Sequence, residues 1–399
     1  MHMISANKEP KNLNLLNVVS LGLGSIIGAG IFALLGQVIL LAGSKTYLAF
    51  IIGGCAAMFS GYSYAKLAGH YPISGGLTDY FHLAFKSKFT SGGLSLVYMI
   101  ASAISIAMLA KSFGIYMSDF FHAGHNLTVI NSFAGGLTIA LALLNMQKAS
   151  DVGWAETVIV ILKIAILLII IGAAYLQPSL QIANSPLTGK HIDFWRSVGI
   201  TFFAYAGYGV ITNAAANVNK PKQTMAYAIY ITLALVILIY LNLAYVVLNY
   251  TPFNALQNNA ETAVATVAGK LLGKFGYNGL YLAAVLAFIS GINATFFSMF
   301  RISQALGTFK ILPAIYTRTF WHKGTVGNVF TTFLIILSVI FLDFSSIVNL
   351  SSGAFLLSYM GIFMANWKLK NETDSSTAAI IIGLMLMLII FIGFIISLF

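Results

Sequence analysis

Two glycine-interrupted apolar stretches and one lysine are the places where this sequence could do chemistry. The first stretch reads Gly22-Leu23-Gly24-Ser25-Ile26-Ile27-Gly28-Ala29-Gly30-Ile31-Phe32. The second reads Phe202-Phe203-Ala204-Tyr205-Ala206-Gly207-Tyr208-Gly209. Glycine lowers the cost of leaving helical geometry and lets a ligand approach the backbone. A helix restarting near Ile27 to Gly30 would aim free N–H groups, and the positive end of its dipole, at a carboxylate. Ser25, Gly28, Ala29 and Gly30 are assigned to that end, with Ile27 at the restart and the Ser25 hydroxyl as an added donor. A helix ending near Phe203 to Gly207 would present carbonyl oxygens to an ammonium, through the backbones of Phe203, Ala204 and Ala206. Together the two breaks would hold a zwitterion without a charged side chain. The bland alternative is close helix packing through small residues, and Gly24 with Gly28, four apart, would satisfy it alone.

Lys163 lies nine residues into the apolar run Trp154–Leu176. A charged lysine at mid-membrane costs about 2.5–3.5 kcal/mol on insertion scales. Snorkelling relieves that cost near a helix end, but from this depth the ammonium would have to reach across some two turns. Burial favours the neutral amine, which would let a physiological gradient load and unload its proton. Glu156, one seven-residue step away on the same face, is read as a structural partner.

These residues need a membrane around them. Of 399 residues, 59% are hydrophobic and 8% charged, and the mean hydropathy is +0.90. A soluble domain carries roughly 25% charged residues, so this chain could not cover a globular surface with groups that water solvates. A span takes about 20 apolar residues. Eleven are read, at 14–41, 45–69, 90–119, 127–147, 154–176, 194–216, 225–248, 278–304, 325–342, 345–367 and 377–398. Segment 72–89 reads as a re-entrant or surface helix, 260–273 as a short amphipathic surface helix, and 305–320 as a basic connector. With the N-terminus inside, fourteen Lys and Arg fall on the inner side and six, Lys111 among them, on the outer. The positive-inside rule thus places the N-terminus in the cytoplasm and the chain in the cell membrane. The net charge of +11 is then loop charge beside anionic lipid rather than a nucleic-acid footprint.

Other chemistries find little support. No phosphate-binding loop with a following Lys-Ser/Thr is present, so the chain offers no ATPase motor. The single cysteine, Cys55, excludes an intramolecular disulfide and reads as a small packing residue. His122 and His125 could share a helix face, but two lone ligands make a poor metal site, and no metal or cofactor is implied. Paired carboxylates and activated nucleophiles at matching depth are missing, so an enzyme is not expected. The first apolar run is too long for a signal-peptide core and reads as a retained span.

The interrupted spans are the first and the sixth, corresponding places in two sets of five. That is the pattern of an inverted-repeat transporter with its site at the breaks. The expected organisation is a cytoplasmic tail at 1–12, a first repeat at 13–176, a second at 177–370 and an additional helix at 371–399.

At these residues the chain resembles the amino acid–polyamine–organocation permeases. Gly24-Ser25-Ile26-Ile27-Gly28-Ala29-Gly30-Ile31-Phe32 matches the family's first-helix signature almost letter for letter. Pro72-Ile73-Ser74-Gly75-Gly76 matches the element after span two, with Thr78 where an aromatic is common. Phe202-Phe203-Ala204-Tyr205-Ala206-Gly207-Tyr208, followed by Asn219-Lys220-Pro221-Lys222, matches the sixth span and its exit. The resemblance implies an all-α, LeuT-like fold of two inverted five-helix repeats with helices one and six broken. It implies amino acid transport by alternating access, with the Phe203 ring gating the substrate. Ser102 and Ser105 on span three would line the side-chain pocket, although ordinary helix–helix hydrogen bonding explains them equally well.

A subset of the family has a lysine in span five whose amine replaces the cation of sodium-coupled relatives. Lys163 matches it, and by analogy approaches the carbonyls near Gly24 and Ile27 and Ser290 on span eight. Protons would then be the coupling ion. Three departures stand out: eleven spans where twelve are usual, Gly209 where many relatives have an acid, and Asn213 and Asn217 where carboxylates are frequent. With no acid at the depth of the breaks, the expected cargo is a small or medium neutral amino acid. The alternatives are an exchanger or facilitator with Lys163 as a fixed charge, a polyamine or organic-cation permease, and a channel or sensor built on the same body.

Overall fold

A computed structural model describes residues 13–73, 76–147, 153–177 and 191–399. The expected tail at 1–12, Ser74 and Gly75 of the second motif, and the loop lysines Lys148 and Lys190 lie outside the described residues. The first part of the chain folds as α1 (Leu15–Ile26), α2 (Ala29–Ala42), α3 (Thr46–His70), α4 (Gly76–Ala84), α5 (Lys88–Phe120), α6 (Leu127–Met146) and α7 (Gly153–Leu176). Next come α8 (His191–Tyr205), a 3-10 helix at Tyr208–Asn217, α9 (Pro221–Tyr250), α10 (Phe253–Asn258) and α11 (Ala263–Thr308). A hairpin of β1 (Thr319–Trp321) and β2 (Gly324–Thr325) precedes α12 (Val326–Phe341), α13 (Phe344–Lys368), α14 (Lys370–Thr373) and α15 (Thr377–Ile396).

The chain is an all-α, polytopic membrane protein. Among the described residues, eight helical stretches are long and apolar enough to cross a bilayer, and α1 and α12 are shorter apolar helices. In lipid each backbone group must be satisfied internally, which helices alone achieve within one segment. Their starts are marked by polar caps: Asn14 for α1, Asn126 for α6, Asp343 for α13 and Ser376 for α15 each accept from a first-turn N–H, as capping chemistry requires. α13 and α5 are the most buried of the long helices, and α6 and α15 the least. α5 therefore forms the centre, packed on α6, α11 and α13, while α3 runs along α9 and α2 lies against α8.

Two local readings change, those of Lys111 and Cys55. Lys111 is not a loop charge: it is 4% exposed within α5 and donates to Asn131 Oδ1 at 2.8 Å and the Val339 carbonyl at 2.7 Å. The last turn of a helix leaves carbonyls unpaired, and those closing α12 accept the amine. His122 and His125, read as loop residues, do lie exposed in the turn after α5, and His125 Nε2 bonds Asn259 Oδ1 at 3.1 Å. Cys55 is exposed on α3 and so is not a packing residue. The short helix expected at 260–273 is present from Ala263 as the opening of α11, set off from the following span by the non-helical Gly273.

Candidate functional site

The break in the first stretch spans two residues. α1 ends at Ile26, Ile27 and Gly28 leave helical geometry, and α2 restarts at Ala29. Such an end leaves four carbonyls without helical partners. Leu23 O accepts from Ile27 N at 2.9 Å, and Ile26 O from Gly28 N at 2.8 Å. Gly24 O accepts from Lys163 Nζ at 2.7 Å. Ser25, which carries the fourth, borders the cavity described below.

The second break follows α8. Ala206 N donates to Phe203 O at 2.9 Å, and Gly207 takes φ 130°, a conformation that side-chain-bearing residues rarely adopt. The chain then continues as ten residues of 3-10 helix, a length uncommon for that geometry and a mark of a hinge or strain. The sequence reading expected an ending here but not the 3-10 continuation.

The two breaks adjoin. A Cβ on Gly30 would stand 2.6 Å from Ala204 O, so only glycine permits this approach of α2 to α8. A Cβ on Gly207 would stand 3.0 Å from both Ser25 oxygens. Tyr240 on α9 ties both ends, its hydroxyl proton shared between Ile26 O at 3.0 Å and Ala204 O at 3.2 Å. The carbonyls of Phe203 and Ala204, assigned to an ammonium, thus already have one protein partner each.

Between the breaks lies a cavity of about 80 Å³. Ser25, Gly28, Gly30, Phe203, Ala204 and Ala206 border it, together with Ser102 and Ser105 of α5. Ile27 does not; it is fully buried in the core. Ala29 contributes the start of α2, and its side chain lies outside the described residues. Ser102 donates to Tyr98 O at 2.9 Å within its own helix rather than to a neighbouring one, and it also borders the cavity. Phe203 packs on Phe355 of α13 at 5.2 Å between ring centres, forming part of the wall.

The opposite wall is α11, through Gly291, Thr295 and Ser298, and the floor is aromatic, with Phe355 and Tyr359. Tyr359 meets Phe202, Tyr208 and Tyr64 in one ring cluster. The Tyr64 hydroxyl stands 3.1 Å from where a Cβ of Gly209 would be, so this phenol takes the place of a larger residue there. None of these wall and floor residues was singled out from sequence, because single serines, threonines and aromatics on helices have the spacing of ordinary packing. None of the residues lining the cavity is charged.

At the α2 end the cavity is closed. A Cβ on Gly36 would stand 2.0 Å from Ala260 O, Gln37 Nε2 donates to Glu261 at 3.0 Å, and the Tyr116 hydroxyl donates to Phe32 O at 2.7 Å. The lining also takes in Tyr98, Val210 and Ser298.

Lys163 lies behind the first break. Its side chain is fully buried and its amine meets the last turn of α1. Ser290 is half-buried on α11, which packs against α7. Glu156 is on the first turns of α7, with its side chain outside the described residues.

Comparison with known proteins accords with this geometry. The family model described as amino acid permease matches residues 13–399. The inner membrane transport protein YbaT of Escherichia coli is 38% identical over 396 residues, covering 98% of this chain and 91% of the relative. The serine/threonine exchanger SteT of Bacillus subtilis is 24% identical, covering 90% and 82%. The methylthioribose transporter of the same species is 25% identical, covering 80% and 72%. A family match of this extent takes in both breaks, Lys163 and every helix described: the chain belongs to the amino acid permease family, within the amino acid–polyamine–organocation superfamily, and is a membrane transporter, not an enzyme.

Proposed function

We propose that this protein is a proton-coupled symporter of small or medium neutral L-amino acids, working by alternating access. The observation that carries the reading is the meeting of two helix breaks around an uncharged cavity, with the Lys163 amine on the last turn of the broken α1. The first-turn N–H groups of α2 would take the carboxylate. The Ser25 carbonyl and the second lone pairs of the α8 carbonyls would take the ammonium. At about 10–15 Å³ for each water-sized occupant, the cavity has room for roughly five to eight such groups. Alanine and serine, with about six or seven heavy atoms, match that space.

Lys163 supplies the coupling. As an ammonium it holds Gly24 through a charge-assisted bond, stronger than the bond a neutral amine makes. Loss of its proton weakens that hold on α1 and frees the first break to move. In this reading the core is two inverted repeats, 13–176 and 177–370, the chain crosses the cell membrane eleven times, and the N-terminus is cytoplasmic. The closed α2 end is then the outer gate, and the lining at Val210 and Ser298 marks the inward path.

Alanine uptake into liposomes, in sodium-free buffer with an inward proton gradient, tests this. Accumulation above the equilibrium level supports symport; saturable alanine counterflow indifferent to pH overturns it. The second reading is an exchanger, favoured by the printed activity of the serine/threonine exchanger among the relatives; counterflow without net accumulation is its signature. A polyamine or organic-cation permease would want an acidic lining, which the cavity's residues do not provide.

A further inference from the structure

Among the described residues, the segment between α11 and α12 is the connection that carries a β-hairpin. From Arg301 to Leu342 the chain has no acidic residue, while Arg301, Lys310, Arg318 and Lys323 are all exposed. Large apolar side chains are exposed beside them: Phe309 at 42%, Phe320 at 72% and Trp321 at 38%. Arg301 lays its guanidinium over the ring of Phe297 at 4.2 Å.

This surface is held rigidly. In the hairpin, Thr319 pairs with Thr325 and Trp321 with Gly324. Its turn is fastened at two points: Lys323 N donates to Met146 O at 3.0 Å, and Gln304 Nε2 to Lys323 O at 2.9 Å. Tyr316, 5% exposed, anchors the preceding turn through its hydroxyl and Thr331 Oγ1 at 2.9 Å. The patch continues onto the start of α5. Ile311 packs against Gly92, the Phe309 ring lies 4.5 Å from His82, and Lys86, Lys88 and Phe89 are exposed alongside. A connection that merely joined two helices would not need fixed strands that turn a phenylalanine outward.

We infer that this hairpin and its basic flank form a binding surface for anionic phospholipid headgroups in the adjoining leaflet. The aromatic rings sit where amphipathic side chains partition at a membrane–water boundary. The cations of the 301–342 segment have no carboxylate among them. The acidic group at the patch's edge is Asp79 of α4, beside His82, so the hairpin end is the most basic part, as attraction to an anionic leaflet requires. Placement at the ends of α6, α11 and α12 puts both groups at headgroup depth, which favours lipid over a soluble acidic partner.

Trp321 is the reporter. The full-length protein is reconstituted in vesicles carrying either brominated phosphatidylglycerol or brominated phosphatidylcholine at equal mole fraction, and the Trp321 signal is taken as the difference from Trp321→Phe. Quenching of that signal should be about twofold or more stronger with the anionic lipid. The excess should vanish in high salt and in the combined variant Lys310→Gln, Arg318→Gln, Lys323→Gln. Equal quenching by the two lipids overturns the inference, as does an anionic preference that survives both salt and the triple variant. No quenching by either would place the hairpin in water, the outcome expected of a docking site for a soluble acidic protein. The salt series on the unaltered protein decides the matter if the triple variant does not fold.

Discussion

Lys163 Nζ donates to the carbonyl oxygen of Gly24 at 2.7 Å, joining the middle of α7 to the last turn of α1. The lysine is fully buried, so solvent does not compete for its amine. A carbonyl left over by a helix break is the group most in need of a donor there; in the proposed mechanism its bond to this amine is what a proton would strengthen. Lys111 shows the contrasting use of the same chemistry. It too is buried and bound to carbonyls at a helix end, but on α12 and away from the breaks.

The two lysines should therefore separate in experiment. Lys163→Ala removes a bond to a charged group, about 1.5–3 kcal/mol, or roughly ten- to a hundredfold in any equilibrium it biases. Proton-driven alanine accumulation should be lost while counterflow persists. Accumulation that still follows pH in this variant would refute the coupling role. Lys111→Met should lower thermal stability and expression, yet leave the pH dependence of the remaining transport as it was.

Tyr240→Phe keeps the rings packed on Phe50 and Tyr205 and deletes only the hydroxyl shared by Ile26 and Ala204. Leaving buried carbonyls short of a donor costs about 1–3 kcal/mol. A lower melting temperature in detergent and weaker alanine binding are expected together. Unchanged binding would mean that the tie does not shape the site.

Gly36→Ala tests the closed end. Its new Cβ would stand 2.0 Å from a backbone oxygen, with no flexible side chain to give way, and overpacking of this kind costs about 1–3 kcal/mol. An introduced cysteine bordering the cavity should become more reactive from the outer side. Gly93→Ala, which meets nothing within 4 Å, is the control and should be neutral or stabilising by up to about 1 kcal/mol.

Asp343 caps α13, accepting from Ser346 N at 3.1 Å. The Ser346 hydroxyl, foremost, holds its carboxyl below the usual carboxylate range. Because the folded value is depressed, the cap's contribution is complete above the unfolded value of about 3.9. It fades as pH falls through the folded value. Asp343→Ala should cost about 0.5–2 kcal/mol at neutral pH, and the gap between the two proteins should narrow in acid. A gap constant down to pH 3 would show that the carboxylate charge plays no part.

The sequence by itself determined the membrane class, the places where helices form, both breaks and the position of Lys163 inside an apolar helix. The reason is local. Lipid demands apolar residues in runs of helical length, and departures from that demand, such as glycines in pairs or one lysine among isoleucines, are visible where they occur. The all-α membrane fold and the family followed from those departures.

The tertiary structure alone decided which distant residues line the cavity and tie the two breaks together. Tyr240, Thr295, Ser298, Phe355 and Tyr359 come from α9, α11 and α13, and in sequence each looks like an ordinary packing residue. It also decided that Lys111 is buried, that Ile27 turns into the core and that the Phe203 and Ala204 carbonyls are partly taken. Whether a hydroxyl, a ring or an amine finds a partner depends on how helices far apart in the chain are rotated against one another. That rotation is set by close contacts such as Gly30 on Ala204, and no periodicity within a single helix encodes it.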